Sequence, residues 1–202
     1  MRRSLSEIQA MCTKAARGAG CPWGLAEEAG MNARILEAHG LPGTEALVNL
    51  LNTPRACSRQ AADQSVACGL KEAATLSDQL AEGAQTIGAT AGALLMVAPL
   101  IDDAQAPGRV WRIAWPEGQA ICTAEGVALI GAWPQAVSSS VEVTPLAQKR
   151  MDEKSRWSHS SESREIDGGV WSSLEGLAAQ TYVPETEASR AAGAGPSSAD
   201  RD

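Results

Sequence analysis

The chain has 202 residues and a formal net charge of −7, with 44% hydrophobic and 20% charged residues, six Trp, one Tyr and no Phe. The apolar share is too high for a disordered chain, and the acidic balance is the wrong sign for gripping a phosphate backbone, which excludes nucleic acid as a partner. A core without Phe must be built from Ala, Leu, Val and Ile around a few indole anchors, in one large domain or two small ones.

Ser4-Leu5-Ser6-Glu7 reads as a capping box, in which a hydroxyl and a carboxylate satisfy early backbone N–H groups reciprocally. Leu5, Ile8, Cys12, Ala15, Ala16 and Ala19 then fall on one helical face, and Gly18, Gly20 and Pro22 stop that helix. The spacing predicts a second helix from Trp23 or Leu25 to Ala38, with Leu25, Ala29, Ala33 and Leu36 on its apolar stripe. His39-Gly40-Leu41-Pro42-Gly43 closes it, and Thr44 is placed to cap a short third helix carrying Leu47, Val48, Leu50 and Leu51. No period is convincing from Asn52 to Gly69. Thr75 to Gln85 is predicted helical, the small residues Gly88 to Gly92 suit a close helix–helix approach, and Leu94 onward reads as helix up to the residue before Pro99.

Arg109 to Trp115 alternates, with Trp111, Ile113 and Trp115 on one face; Pro116-Glu117-Gly118 supplies a turn, and Gln119 to Thr123 the returning strand. Ser139 to Thr144 is a further strand candidate, and Gly126 to Trp133 is ambiguous. Gln148 to Asp167 holds only Met151, Trp157 and Ile166 as large apolar residues, too few to offset ordering entropy. Helical spacing resumes with Val170, Trp171, Leu174, Leu177 and Ala178, and a second piece starts near Pro184. The fold class is α+β: a helical N-terminal segment, a small antiparallel β hairpin or sheet in the middle, and a C-terminal helix. The organisation is a globular core over 1–147, a polar flexible linker or loop over 148–168, a helical segment over 169–192 packing back on the core, and a disordered tail over 193–202.

Met1-Arg2-Arg3 precedes Ser4, Ser6, Glu7 and Gln9, not an apolar stretch, so it does not read as a secretory leader. The longest apolar run, Ala89 to Ile101, falls short of the ~20 residues that span a bilayer, so no membrane partner is expected. Cys12, Cys21, Cys57, Cys68 and Cys122 are odd in number and contain no CxxC, which suits buried thiols in a reducing cytoplasm. The only histidines are His39, at a helix end, and His159, among serines in the polar stretch; neither has a local partner for nucleophilic catalysis. Asp102 and Asp103 diverge on a helix and lack a third ligand, so neither a metal nor a cofactor is expected.

Gly18-Ala19-Gly20 follows a helix instead of a strand, which is the wrong order for a dinucleotide loop. The helix starting after Pro22 nevertheless has free N–H groups that suit a carboxylate or phosphate, with Lys14 and Arg17 adding positive charge and Trp23 as a floor. Glu28 has an ordinary place in a first turn and a sharper reading as a site carboxylate. Tyr182, Glu185 and Arg190 form a second short stretch that concentrates charge and an aromatic; Glu187 and Arg190 are also spaced to pair on a helix surface.

Two strings together resemble a known family. They are Ser4 to Ile8 followed by Lys14 to Gly20 and Trp23 to Gly30, and Thr181 to Arg190 with Gly193-Ala194-Gly195. The chain resembles the bacterial family named domain of unknown function thirty-seven twenty-six. The resemblance implies a free-standing bacterial protein and assigns no catalytic residue. The residues point to a small-molecule enzyme or a binding protein for an anionic metabolite, its site formed where Lys14, Arg17, Gly18, Gly20, Trp23 and Glu28 meet Tyr182, Glu185 and Arg190. The alternative is a non-catalytic accessory subunit, docking on a protein partner or as a homo-oligomer through its Trp-rich hairpin and C-terminal helix.

Overall fold

A computed structural model describes residues 1–53, 66–134, 137–147, 157–158 and 162–181. The first helix, α1 (Leu5–Gly18), starts on the expected capping box: the Ser4 hydroxyl accepts from the Glu7 N–H at 3.3 Å, and the Glu7 carboxylate accepts from the Ser4 N–H at 2.9 Å. The bond from the Ser4 backbone is the main cause that holds the Glu7 carboxyl below the ordinary glutamate range. Ser4→Ala should lower the melting temperature by about 2–4 °C; an unchanged melt would mean that water caps the helix equally well. Ile8, Cys12, Ala15 and Ala16 are fully buried, whereas Ala19 is the exposed C-cap.

α2 (Trp23–Ala38) and α3 (Gly43–Asn52) follow, with Gly40 at φ +76° in the turn between them. α3 starts one residue before Thr44, which therefore sits inside the helix and does not cap it. The capping acceptor is instead Glu37 of α2, which accepts from the Thr44 N–H at 3.0 Å and from its hydroxyl at 2.7 Å.

The helix expected over 75–85 lies earlier. α4 (Gly69–Gln79) buries Leu70, Ala73 and Leu76, and a 3-10 turn over Leu80–Glu82 ends at Gly83, whose φ is +96°. Gln85 then opens a strand, β3 (Gln85–Ile87). The small residues after it serve a strand and a turn, not a helix pair. Thr90–Ala91 is β4, and a Cβ on Gly69 would stand 2.7 Å from the Ala91 carbonyl oxygen. The apolar segment also continues past Pro99. A 3-10 turn over Ala93–Met96 leads into α5 (Val97–Asp103), so Pro99 falls in the first turn, where a missing N–H breaks no intrahelical bond.

β5 (Trp111–Trp115) and β6 (Gly118–Thr123) form the expected hairpin, and Trp111, Ile113 and Trp115 are buried. Two indoles find acceptors: Trp111 Nε1 donates to Asp103 at 2.6 Å and Trp115 Nε1 to the Ala132 carbonyl at 2.7 Å. Asp103 also pairs with Arg109, so it ties the end of α5 to the hairpin. The ambiguous stretch after the hairpin is β7 (Gly126–Gly131), followed by β8 (Val137–Ser138) and β9 (Val141–Pro145).

Within the stretch predicted to be a polar linker, the described residues include β10 (Trp157–Ser158) and β11 (Ser163–Glu165). The main sheet has the order β10-β7-β6-β5-β9-β3, with every neighbouring pair antiparallel. β2 (Ala67–Cys68), β4 and β8 make a small second sheet, and β11 pairs antiparallel with β1 (Arg2–Ser4). The C-terminal helix, α6 (Gly168–Ala179), is capped by Asp167, which accepts from the Gly169 and Val170 N–H groups at 2.8 and 3.1 Å.

α1 packs on α2 and α6, and α2 on α3, which gives an α+β fold with helices segregated from an antiparallel sheet. Cys12, Cys21, Cys68 and Cys122 are buried; Cys57 lies outside the described residues. The piece expected from Pro184, the tail over 193–202 and His159 also lie outside them. Among the described residues no helix is long and apolar enough to cross a membrane.

Candidate functional site

The turn between α1 and α2 brings Lys14, Arg17, Gly18, Gly20, Trp23 and Glu28 into one short stretch. Lys14 is exposed, and Glu28 is half-buried and lies past the first turn of α2, not within it as expected, because the helix already starts at Trp23. Arg17 donates through Nη1 to the Cys21 carbonyl at 2.6 Å, and its guanidinium carbon lies 5.3 Å from the centre of the Trp23 ring. Trp23 is 63% exposed, and Pro22 makes no side-chain hydrogen bond to the start of α2. Gly20 takes φ +87°, a torsion that favours glycine and accounts for its place in the turn.

Gly18 has a different reason to lack a side chain. A Cβ there would run into the carbonyl of Leu177 on α6, so the glycine lets the last turns of α1 and α6 meet. The same Cβ would stand 3.4 Å from the Cβ of Gln180. The chain therefore leaves α6 beside the turn. Tyr182, Glu185 and Arg190 lie outside the described residues.

A second place was not read from the sequence. The α2–α3 corner faces the β11–α6 corner across a cleft of about 260 Å³, into which Trp133, just past β7, also projects. At its floor Glu37 is 4% exposed, bonded to Thr44 as described and 3.9 Å from Arg164 Nε. That separation is an ion pair too long for a hydrogen bond, and Arg164 Nε is buried without a hydrogen-bond partner. Burial pushes the Glu37 carboxyl above the ordinary glutamate range, against the opposing pull of the Thr44 donors and Arg164. Burial, with the Glu37 charge adding to it, also raises the thiol of Cys12, which places this carboxylate near α1.

Glu45, Glu165 and Asp167 complete the charged lining. The N–H groups of Val170 and Gly169 hold Asp167 below its ordinary range, so it stays ionised at neutral pH. Among the described residues no group of three or more His, Cys, Asp or Glu stands where it could hold a metal ion.

One signal for this cleft was present in the sequence. Ala29, Ala33 and Glu37 recur every four residues, so Glu37 continues a small-residue stripe that the helix buries. Trp133 is 36% exposed on the cleft wall because the chain has left β7 before reaching it. Arg164 had no signal at all, since a three-residue strand in a polar stretch has no legible period.

The described residues thus form an α+β fold with a charged turn and a cleft whose walls come from α2, α3, the exit of β7, β11 and α6. Residues 3–86 match the model of a family described as protein of unknown function (DUF3726), the family that its strings resemble. The match ends in β3 and so contains α1 to α4, Glu37 and Glu45, while Trp133, Arg164 and α6 lie beyond it. No curated protein matches the chain.

Proposed function

We propose that this protein binds a small molecule in the cleft between the α2–α3 and β11–α6 corners. The observation that supports this reading is the cleft itself, which joins a concave space of about 260 Å³ to a buried carboxylate, a guanidinium and an exposed indole. Concave sites with a few convergent polar groups are where small ligands bind.

The test is a thermal-shift screen against metabolites of either charge, since a ligand that binds only the folded state raises its melting temperature. A bound ligand should raise it by at least about 3 °C, and Glu45→Trp, which fills the cleft, should abolish that rise. If no metabolite raises the temperature, or if Glu45→Trp leaves the rise intact, the reading fails.

A second reading places an anionic metabolite at the turn formed by Lys14, Arg17, Gly18, Gly20, Trp23 and Glu28, with Tyr182, Glu185 and Arg190 joining it. It is favoured by the Arg17 guanidinium lying over an exposed Trp23 beside an uncapped helix start. Inorganic phosphate should then stabilise the wild type and not Arg17→Ala. An accessory-subunit role cannot use the hairpin and C-terminal helix indoles expected to anchor it, because Trp111, Trp115 and Trp171 are buried; it is favoured instead by the exposure of Trp23 and Met31 on one helix. It predicts co-purification with a companion protein, lost in Trp23→Ala.

A further inference from the structure

We propose that the ligand of this cleft is a small organic cation, an amine or quaternary ammonium that also carries an oxygen acceptor. The proposal rests on the small-molecule reading of the same cleft and adds the charge and chemistry of the ligand.

The balance of charge comes first. Glu37, Glu45, Glu165 and Asp167 line the cleft against a single guanidinium, Arg164. Glu37 and Arg164 face each other at 3.9 Å and offset one another, and Asp167 is held by the first N–H groups of α6 and by the N-terminal ammonium, which leaves Glu45 and Glu165 without a counter-charge within the lining. An anion entering this space would meet like charge on several sides, whereas a cation gains from each of them.

A bare metal ion is a poorer match. Hard cations need several oxygens converging at about 2.0–2.6 Å, and among the described residues no such group is gathered. The carboxylates are spread around a space that a larger cation would fill. Its walls are also partly apolar. Leu41 and Val170 line it, and the Trp133 indole offers a face that attracts ammonium groups.

The acceptor requirement comes from Arg164. Its side chain lines the cleft and is 37% exposed, so a hydroxyl or carbonyl oxygen on the ligand can accept a charge-assisted hydrogen bond from the guanidinium. A cleft of about 260 Å³ limits the ligand to a small molecule.

Isothermal titration of the full chain with choline, ethanolamine and putrescine tests the proposal, with citrate, magnesium and glycine betaine as comparators. Choline or ethanolamine should bind more tightly than putrescine, which lacks the oxygen, and more tightly than every comparator. Glu45→Gln with Glu165→Gln should weaken that binding at least about tenfold, and Trp133→Leu about fivefold. Asp78→Asn with Glu82→Gln makes the same charge change on α4 and the turn after it, and should alter binding less than about twofold.

Absence of binding by all three amines up to about 10 mM would overturn the proposal. So would equal binding of magnesium or glycine betaine, or equal losses in the two double variants. An anion that binds in the wild type and not in Glu45→Trp would overturn the cationic ligand and leave the small-molecule reading standing.

Discussion

Gly18→Ala is expected to destabilise the protein by about 2–3 kcal/mol, read from the midpoint of a denaturant melt at constant slope. The added Cβ would collide with the Leu177 carbonyl and stand 2.7 Å from its carbonyl carbon. Both are backbone atoms, so no rotamer change relieves the overlap and α6 must shift as a unit. Alanine in a helix gains up to about 1 kcal/mol over glycine, but Gly18 is the last residue of α1, where that gain is smallest. The collision therefore wins. Gly24→Ala and Gly176→Ala are the controls, because a Cβ at either meets nothing within 4 Å. Both should be neutral or slightly stabilising. A neutral Gly18→Ala would show that α6 does not dock on α1 in solution.

Glu37→Ala should cost about 2 kcal/mol at neutral pH, since it leaves the buried Thr44 N–H and hydroxyl without their acceptor at the start of α3. Glu37→Gln separates the hydrogen bonds from the charge, because a glutamine oxygen can still accept both. Burial raises the Glu37 carboxyl in the folded protein, so the folded state holds this proton to higher pH than the unfolded chain. Wherever the native state binds more protons, stability falls as pH rises. The contribution of Glu37 is thus complete below the ordinary glutamate range, declines as pH climbs through the raised native value, and then levels. Stability of the wild type relative to Glu37→Gln should fall as pH rises above the ordinary glutamate range, measured by parallel urea melts. A difference that rises with pH would mean that Thr44 and Arg164 outweigh burial.

The N-terminal helices were legible because their signals are local. A capping box needs only Ser4 and Glu7, and a sixteen-residue helix repeats its apolar stripe often enough to be seen. The β5–β6 hairpin was legible for the same reason, with three alternating large residues and a turn between the strands. α4 and α5 were misplaced where one residue was read without its position in a helix. Pro99 breaks a helix interior and is harmless in a first turn, and the sequence around it does not say which turn it occupies.

The two candidate places divide along the same line. The turn at Gly18 to Glu28 is contiguous, so its charge and aromatic density could be noticed, although the reason for Gly18 could not. That reason is a helix 159 positions away, at Leu177. The cleft was invisible apart from Glu37, because its walls come from α2, α3, the exit of β7, β11 and α6.

The sequence by itself determined the α+β class, the capped first helix, the Trp-bearing hairpin and the oddity of an indole at Trp23, all carried by periods and caps within a few residues. Only the tertiary structure decided that Glu37 is buried as the acceptor for α3, that Arg164 stands 3.9 Å from it, and that Trp133 faces a cleft. These depend on short strands and close backbone approaches between distant segments. Their energies are set by which elements meet, and no local pattern of residues records that.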